Sequence, residues 1–162
     1  MKTNSYFDIG ANLTHESFDK DLITVIEEAK QNNVKKICIT STSIEDTRVS
    51  LKLLENDQDF FITTCGIHPH YADTFEESNI REIKELSEHP SVKAIGETGL
   101  DFNRNYSKKD NQILCFKSQI EVAQDLNLPL FLHQRDAHKD FMNCFSNICL
   151  LYTSDAADER SC

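Results

Sequence analysis

The sequence predicts an α/β protein of parallel strands joined by crossover helices, on three observations. Five short apolar runs alternate in strict order with five amphipathic stretches. Each run-plus-stretch takes about 30 residues, the length of a β-α-β repeat. The side chains best suited to chemistry stand immediately after the runs. Such a repeat fits an open doubly wound sheet or a (β/α)8 barrel. No Gly-x-Gly-x-x-Gly turn follows the first run, where Gly10-Ala11-Asn12-Leu13 stands, so the dinucleotide-binding kind of open sheet is disfavoured.

The elements follow in order. Strands are predicted at 6–9, 36–40, 60–65, 92–95 and 129–132, each rich in β-branched or aromatic residues and bounded by polar turns. After the first comes a helix with Leu22, Val25, Ile26 and Ala29 on one face and Asp19 as its cap. The second helix starts at Ser43, with Asp46 three residues on, and buries Val49, Leu53 and Leu54. Ser78 caps a third, carrying Ile80, Ile83 and Leu86 and stopping at His89-Pro90. Ile113, Phe116, Ile120 and Ala123 mark a fourth that ends near Asn127. Asp136 is expected to cap a fifth, holding Phe141, Cys144, Phe145 and Ile148.

Composition narrows the function classes. With 162 residues the chain is long enough for one domain with a real core. Its 17 Lys+Arg against 27 Asp+Glu give a net charge of −10, which argues against a protein that grips nucleic acid through a basic face. A nuclease remains open, because bound metal ions supply positive charge at the site itself. No apolar stretch approaches the roughly 20 residues that cross a bilayer, and the opening residues lack a signal-peptide core. A cytoplasmic protein without membrane contact is expected. The six cysteines form no Cys-x-x-Cys pair, and Cys38, Cys65 and Cys115 sit among apolar neighbours as buried thiols do.

The polar residues after the strands carry the functional argument. Asp8 and Asn12 close the first strand, His68 and His70 follow the third, Glu97 and Asp101 the fourth, and His133, Arg135, Asp136 and His138 the fifth. Parallel strands present those ends on one face, so residues about 30 positions apart converge. Carboxylate plus imidazole is a ligand mixture for zinc or manganese, while magnesium favours the carboxylates. Taken singly, each has a plainer reading: Glu97 as a turn cap, His133 as a hydrogen-bonded core histidine, His68 as a loop former, Arg104 and Arg135 as surface charges.

Four segments, taken together, resemble the TatD family of metal-dependent deoxyribonucleases: 7–14 (FDIGANLT), 66–70 (GIHPH), 94–105 (AIGETGLDFNRN) and 129–138 (PLFLHQRDAH). The resemblance implies a TIM (β/α)8-barrel hydrolase that cuts phosphodiester bonds with one or two divalent ions (Mg, Mn or Zn). The Asp-x-Gly-x-Asn-Leu opening is most similar to the family's 3′→5′ exonucleases on single-stranded DNA or RNA, which are the expected substrates. It further implies Glu97 and His133 as metal ligands and a site-facing His68; catalytic roles for His68 and Asp101 and substrate contacts from Asn12, Arg104 and Arg135 are expected with them. Relatives often carry two metal-binding histidines where Gly10 and Asn12 stand, so one metal site is expected to be weaker or differently built. Residues 1–148 read as about the first five βα units of such a barrel, and 149–162 as a non-native tail that departs from the family pattern. The family's later ligand His and its Asp have no counterpart, so the chain as written is expected to lack activity. A related barrel acting on another ester or amide, or a non-catalytic fragment, are the alternatives.

Overall fold

The structure, a computed structural model, describes residues 4–146. The expected tail at 149–162, the boundary at 148 and Ile148 lie outside the described residues. The chain runs β1 (Tyr6–Ala11), α1 (Leu22–Gln31), β2 (Val34–Ile39), α2 (Ile44–Leu54), β3 (Phe61–Cys65), α3 (Glu77–Ser87), β4 (Val92–Asp101), α4 (Lys109–Leu126), β5 (Leu130–Arg135) and α5 (His138–Phe145). Short 3-10 segments occupy Glu16–Phe18 and Pro69–Thr74.

All neighbouring strands pair in parallel, and their order in the sheet is β1-β2-β3-β4-β5. A doubly wound sheet reverses its strand order at a switch point, whereas here each strand adds to the same edge as the last. The result is a curled half-barrel, which settles the choice left by the repeat length. Three apolar clusters hold the layers together. Leu13, Ile37, Ile39, Leu54, Phe60 and Phe61 pack with Leu22 and Ile26 of α1. Cys65, Ile67, Ile83, Val92, Ile95, Cys115 and Val122 join β3 and β4 to α3 and α4. Leu100, Phe116, Ile120, Ala137 and Cys144 lock α4 and α5 over β4.

The Ser43 cap forms as expected, its hydroxyl accepting from the Asp46 N–H at 3.1 Å. Asn127 ends α4 in the left-handed region at φ 52°. Other boundaries differ from expectation. Asp19 closes the first 3-10 turn, and Asp21 takes the N-cap position of α1. Glu76, not Ser78, starts α3 in a reciprocal pair with Asn79. Val49 is exposed, while Leu54 is fully buried. Asp136 does not cap α5: its backbone is at φ 52° and its Oδ2 accepts from Asn103 Nδ2 at 2.7 Å. Gln134 takes that role instead, its amide oxygen turned to accept from the N–H groups of His138 and Ala137 at 2.9 and 3.1 Å.

The largest difference is in β4, which runs to Asp101 rather than stopping at 95. Gly96-Glu97-Thr98-Gly99 reads as a turn in sequence, yet it continues the strand with a register shift between Ile95 and Thr98. Gly96 and Gly99 have φ of 140° and 146°, and a Cβ on either would lie 2.2 Å from Phe131 O or 1.9 Å from His133 O. Only glycine lets β5 come this close, and that approach sets His133 beside the end of β4.

Candidate metal centre

The backbone fixes the site before any side chain reaches into it. The chain leaving β2 offers two carbonyls: Ser41 O accepts from the Glu97 N–H, and Thr42 O from the His68 N–H, each at 2.9 Å. Asp46 in turn accepts from the N–H and hydroxyl of Thr42 at 2.8 and 3.0 Å. The ends of β2, β3 and β4 are thus tied into one rim, and β5 supplies His133 across from Gly99.

His133 sits between two carboxylates. Its Nδ1 is 3.1 Å from Glu97 Oε1, and its Nε2 is 3.4 Å from Asp101 Oδ2. The hydrogen bond to Glu97 raises the imidazole's pKa above its ordinary value against the opposing effect of burial, and the same bond lowers that of Glu97. Asp101 is almost wholly buried, with 1% of its side chain exposed. Burial would raise its pKa. The Arg104 N–H, the His70 ring, the Asn103 N–H and the His133 ring outweigh burial and hold the carboxyl well below the usual range. His70 Nε2 is 2.8 Å from Asp101 Oδ2, and the His70 ring lies edge-on to Tyr106.

His68 faces the same spot, its Nε2 3.9 Å from Glu97 Oε1 and its ring 4.5 Å from that of His133. Burial is the largest cause that brings its pKa down to about 4, with the neighbouring His133 and His70 adding to the shift and Glu97 opposing it. The ring is therefore neutral at pH 7. Its Nδ1 accepts from the His70 N–H at 3.1 Å, so the ring proton of the neutral form resides on Nε2, aimed at the site.

One ligand atom each from His68, Glu97 and His133 lies within 4.8 Å of the others, and this group can hold a metal ion. With the His68 ring proton on Nε2, Glu97 and His133 are the pair free to ligate, and an imidazole beside a carboxylate suits zinc or manganese. The donor set fits a cation on charge as well, since Glu97 and Asp101 both favour the ionised form. An Asp101 carboxylate behind a ligating His133 has the arrangement that orients such ligands in metalloproteins.

The remaining expected residues fall around this centre. Asn12 lines a cavity of about 290 Å³ with Gly10, Thr40, Thr42, Glu97 and Phe131. Arg104 and Arg135 lie at the ends of β4 and β5 with exposed side chains, outside the cluster and without an ion pair among the described residues. Residues that sequence reasoning missed include Thr40, whose buried hydroxyl has no partner among the described residues, and two glutamines of α4. Gln112 accepts from the Asp101 N–H at 2.8 Å and donates to Asp101 O at 3.1 Å. Gln119 reaches the loop before His68. Their signal was there to be read: two amides seven residues apart, within an apolar stripe, call for buried partners.

A sequence model described as TatD related DNase matches residues 7–149. The chain belongs to this family. A 3′-5′ ssDNA/RNA exonuclease TatD from Musicola paradisiaca is 44% identical over 136 residues, covering 84% of this chain and 52% of that protein. Its namesake from Erwinia tasmaniensis is 40% identical over 137 residues, 85% of this chain and 53% of its own. Among solved structures, a hydrolase TatD family protein from Entamoeba histolytica superposes with TM-score 0.80 at 27% identity, covering 90% of this chain and 55% of that one. The TatD homolog YJJV from Escherichia coli superposes with TM-score 0.75 at 26% identity, covering 84% and 53%. The chain thus spans about half the length of the relatives it matches, and the half-barrel is half of a TatD-family TIM barrel. Among the described residues no helix is long and apolar enough to cross a membrane.

Proposed function

We propose that the protein is a metal-dependent hydrolase of phosphodiester bonds that shortens single-stranded DNA or RNA from the 3′ end. The observation that carries this reading is His133 held between Glu97 and Asp101 at 3.1 and 3.4 Å. Relatives 40 to 44% identical that are named 3′-5′ ssDNA/RNA exonucleases support the substrate class.

In this reading Glu97 and His133 hold one divalent ion of one or two. The cation supplies positive charge and Lewis acidity at a phosphate. Manganese or zinc suits a donor set that pairs an imidazole with a carboxylate. Asp101, behind His133, would accept from its Nε2–H and so leave Nδ1 to face the cation beside Glu97, acting by positioning rather than by touching substrate. His68 presents an Nε2–H donor to a phosphate oxygen or to the attacking water, a role its depressed pKa keeps it neutral for. Asn12 lines the cavity beside Glu97 and offers hydrogen bonds to the nucleotide. Arg104 and Arg135 flank the rim and offer paired N–H donors to the backbone phosphates of the strand. The buried thiols Cys38, Cys65, Cys115 and Cys144 are free, which suits a reducing cytoplasmic setting.

The test begins with Mn2+ binding to the chain, followed by the electron paramagnetic resonance of the free ion. Glu97→Ala should abolish saturable binding, and binding equal to wild type removes Glu97 from the centre. In the whole protein, a 5′-labelled single-stranded oligonucleotide should give a ladder shortening from the 3′ end that a chelator stops. Turnover of carboxylic esters or amides with no cleavage of the oligonucleotide would move the substrate class away from nucleic acid.

A further inference from the structure

The Gln119 side chain occupies the space between α4 and the rim and makes its bonds to the neighbours of the centre rather than to the centre itself. Its Oε1 accepts from the Ile67 N–H at 2.7 Å, and its Nε2 donates to Ile67 O at 2.9 Å and to Thr98 Oγ1 at 2.7 Å. Ile67 immediately precedes His68, and Thr98 immediately follows Glu97. One fully buried amide therefore grips the chain next to two of the three residues of the cluster, one in the loop after β3 and one within β4. Room for it is reserved: a Cβ on Gly66 would lie 2.6 Å from Gln119 Oε1.

We infer that Gln119 is a positioning residue of this centre, which sets the spacing between His68 and Glu97 by clamping Ile67 and Thr98 to α4. The inference rests on the metal-centre reading above. A glutamine whose only duty was to fill the core would be replaceable by an apolar side chain of similar length. This one instead pairs both polar atoms of Ile67, as a neighbouring strand would, at a point where β3 has ended and its ladder no longer supplies partners. The third bond pins Thr98, the residue that closes the irregular stretch of β4 where pairing with β5 shifts register, and Glu97 lies within that stretch without a β5 partner. Gln112, two turns earlier on α4, holds Asp101 by both its N–H and its carbonyl in the same manner. It serves as a control, equally buried and equally bonded, because it holds only the backbone of Asp101, whose carboxylate is fixed independently by the Asn103 and Arg104 N–H groups and His70.

The experiment compares Gln119→Met, Thr98→Val and Thr98→Ser with Gln112→Met in the 162-residue chain. Thr98→Val keeps the shape and removes the hydroxyl that accepts from Gln119, so it keeps the question answerable if Gln119→Met does not fold. Three quantities are read: the thermal midpoint, the Mn2+ dissociation constant, and the nuclear Overhauser effect between the His68 and His133 rings without metal. Gln119→Met and Thr98→Val should weaken Mn2+ binding by roughly tenfold to a hundredfold, the loss usual for an outer partner of a ligand. Gln119→Met should also weaken the Overhauser effect between the rings. Thr98→Ser, which keeps the hydroxyl, should restore affinity, and Gln112→Met should lower the midpoint as Gln119→Met does but cost less affinity. Folded Gln119→Met and Thr98→Val chains that bind Mn2+ as wild type does would overturn the inference, as would an equal loss in Gln112→Met. If the wild-type chain binds no Mn2+, the metal reading fails separately, and Gln119 is judged on the rings. An Overhauser effect that disappears in Gln119→Met but persists in Gln112→Met supports positioning, and one that persists in both refutes it.

Discussion

Among single residues, Asp101 has the most demanding surroundings. A buried carboxylate is costly unless its oxygens are occupied, and here Oδ1 accepts from the N–H groups of Asn103 and Arg104 at 3.0 and 2.9 Å while Oδ2 meets His70. The ionised form is therefore favoured in the fold, with a pKa below the 3.8 of an ordinary aspartate. A carboxyl depressed by folding contributes stability above its unfolded pKa and loses it as the pH falls through the folded one. Asp101→Asn keeps the shape and one acceptor but gives up the charge. The expected outcome is a loss of about 1–3 kcal/mol at pH 7, the range for a buried group whose partners are left poorly matched. The difference from wild type should shrink below roughly pH 4, where the unfolded chain's carboxylates take up protons. Urea unfolding of both chains between pH 3 and 7 measures it, and a difference independent of pH would show that the charge contributes nothing.

For the helices and strands, legibility in the sequence tracked how local the determinant was. Ser43 before an apolar period is a local signal, and the cap forms where it was expected. Its removal in Ser43→Ala should cost about 1 kcal/mol in chemical denaturation with an unchanged denaturant slope. An unaltered midpoint would mean that the Asp46 N–H finds another acceptor. Asp136 is the contrary case, since a residue of capping type sits at the right place, but the demand of Asn103 from the neighbouring strand end takes its carboxylate. The extension of β4 was illegible for a similar reason. Gly96 and Gly99 look like turn residues when only their neighbours in sequence are considered, and their role emerges only once β5 lies against them. The centre follows the same division. Glu97, His133 and His68 were legible because ligand-type residues after parallel strands converge by topology alone. What was not legible was the division of labour: His68 turning a proton toward the site depends on the His70 N–H, and the height of Glu97 on a glutamine of α4.

For the molecule as a whole, the curled sheet has two edges, and both carry apolar side chains in the open. Tyr6, Phe7 and Ile9 on β1 are each at least half exposed, and Leu132 on β5 is nearly so. Edge strands of soluble proteins are ordinarily short, charged or covered, because their free N–H and C=O groups template pairing with another chain. None of these devices protects β1 among the described residues: six residues long, it has Asp8 as its sole charge, and its N–H groups and carbonyls engage only β2 within the described sheet. The net charge of −10 opposes association, but the repulsion is screened beyond about 10 Å at 0.1 M salt, whereas pairing between edges acts at shorter range. The 162-residue chain should therefore associate with rising concentration, and more strongly as salt increases. Ile9→Lys places a charge on the edge at a position 64% exposed, where it costs the folded chain little. Sedimentation velocity over a concentration series should show the wild type moving toward larger species and Ile9→Lys remaining smaller at the same concentration. A wild type that sediments as a monomer throughout would mean that the β1 edge is already occupied, and identical association of both chains would place the interface elsewhere on the molecule.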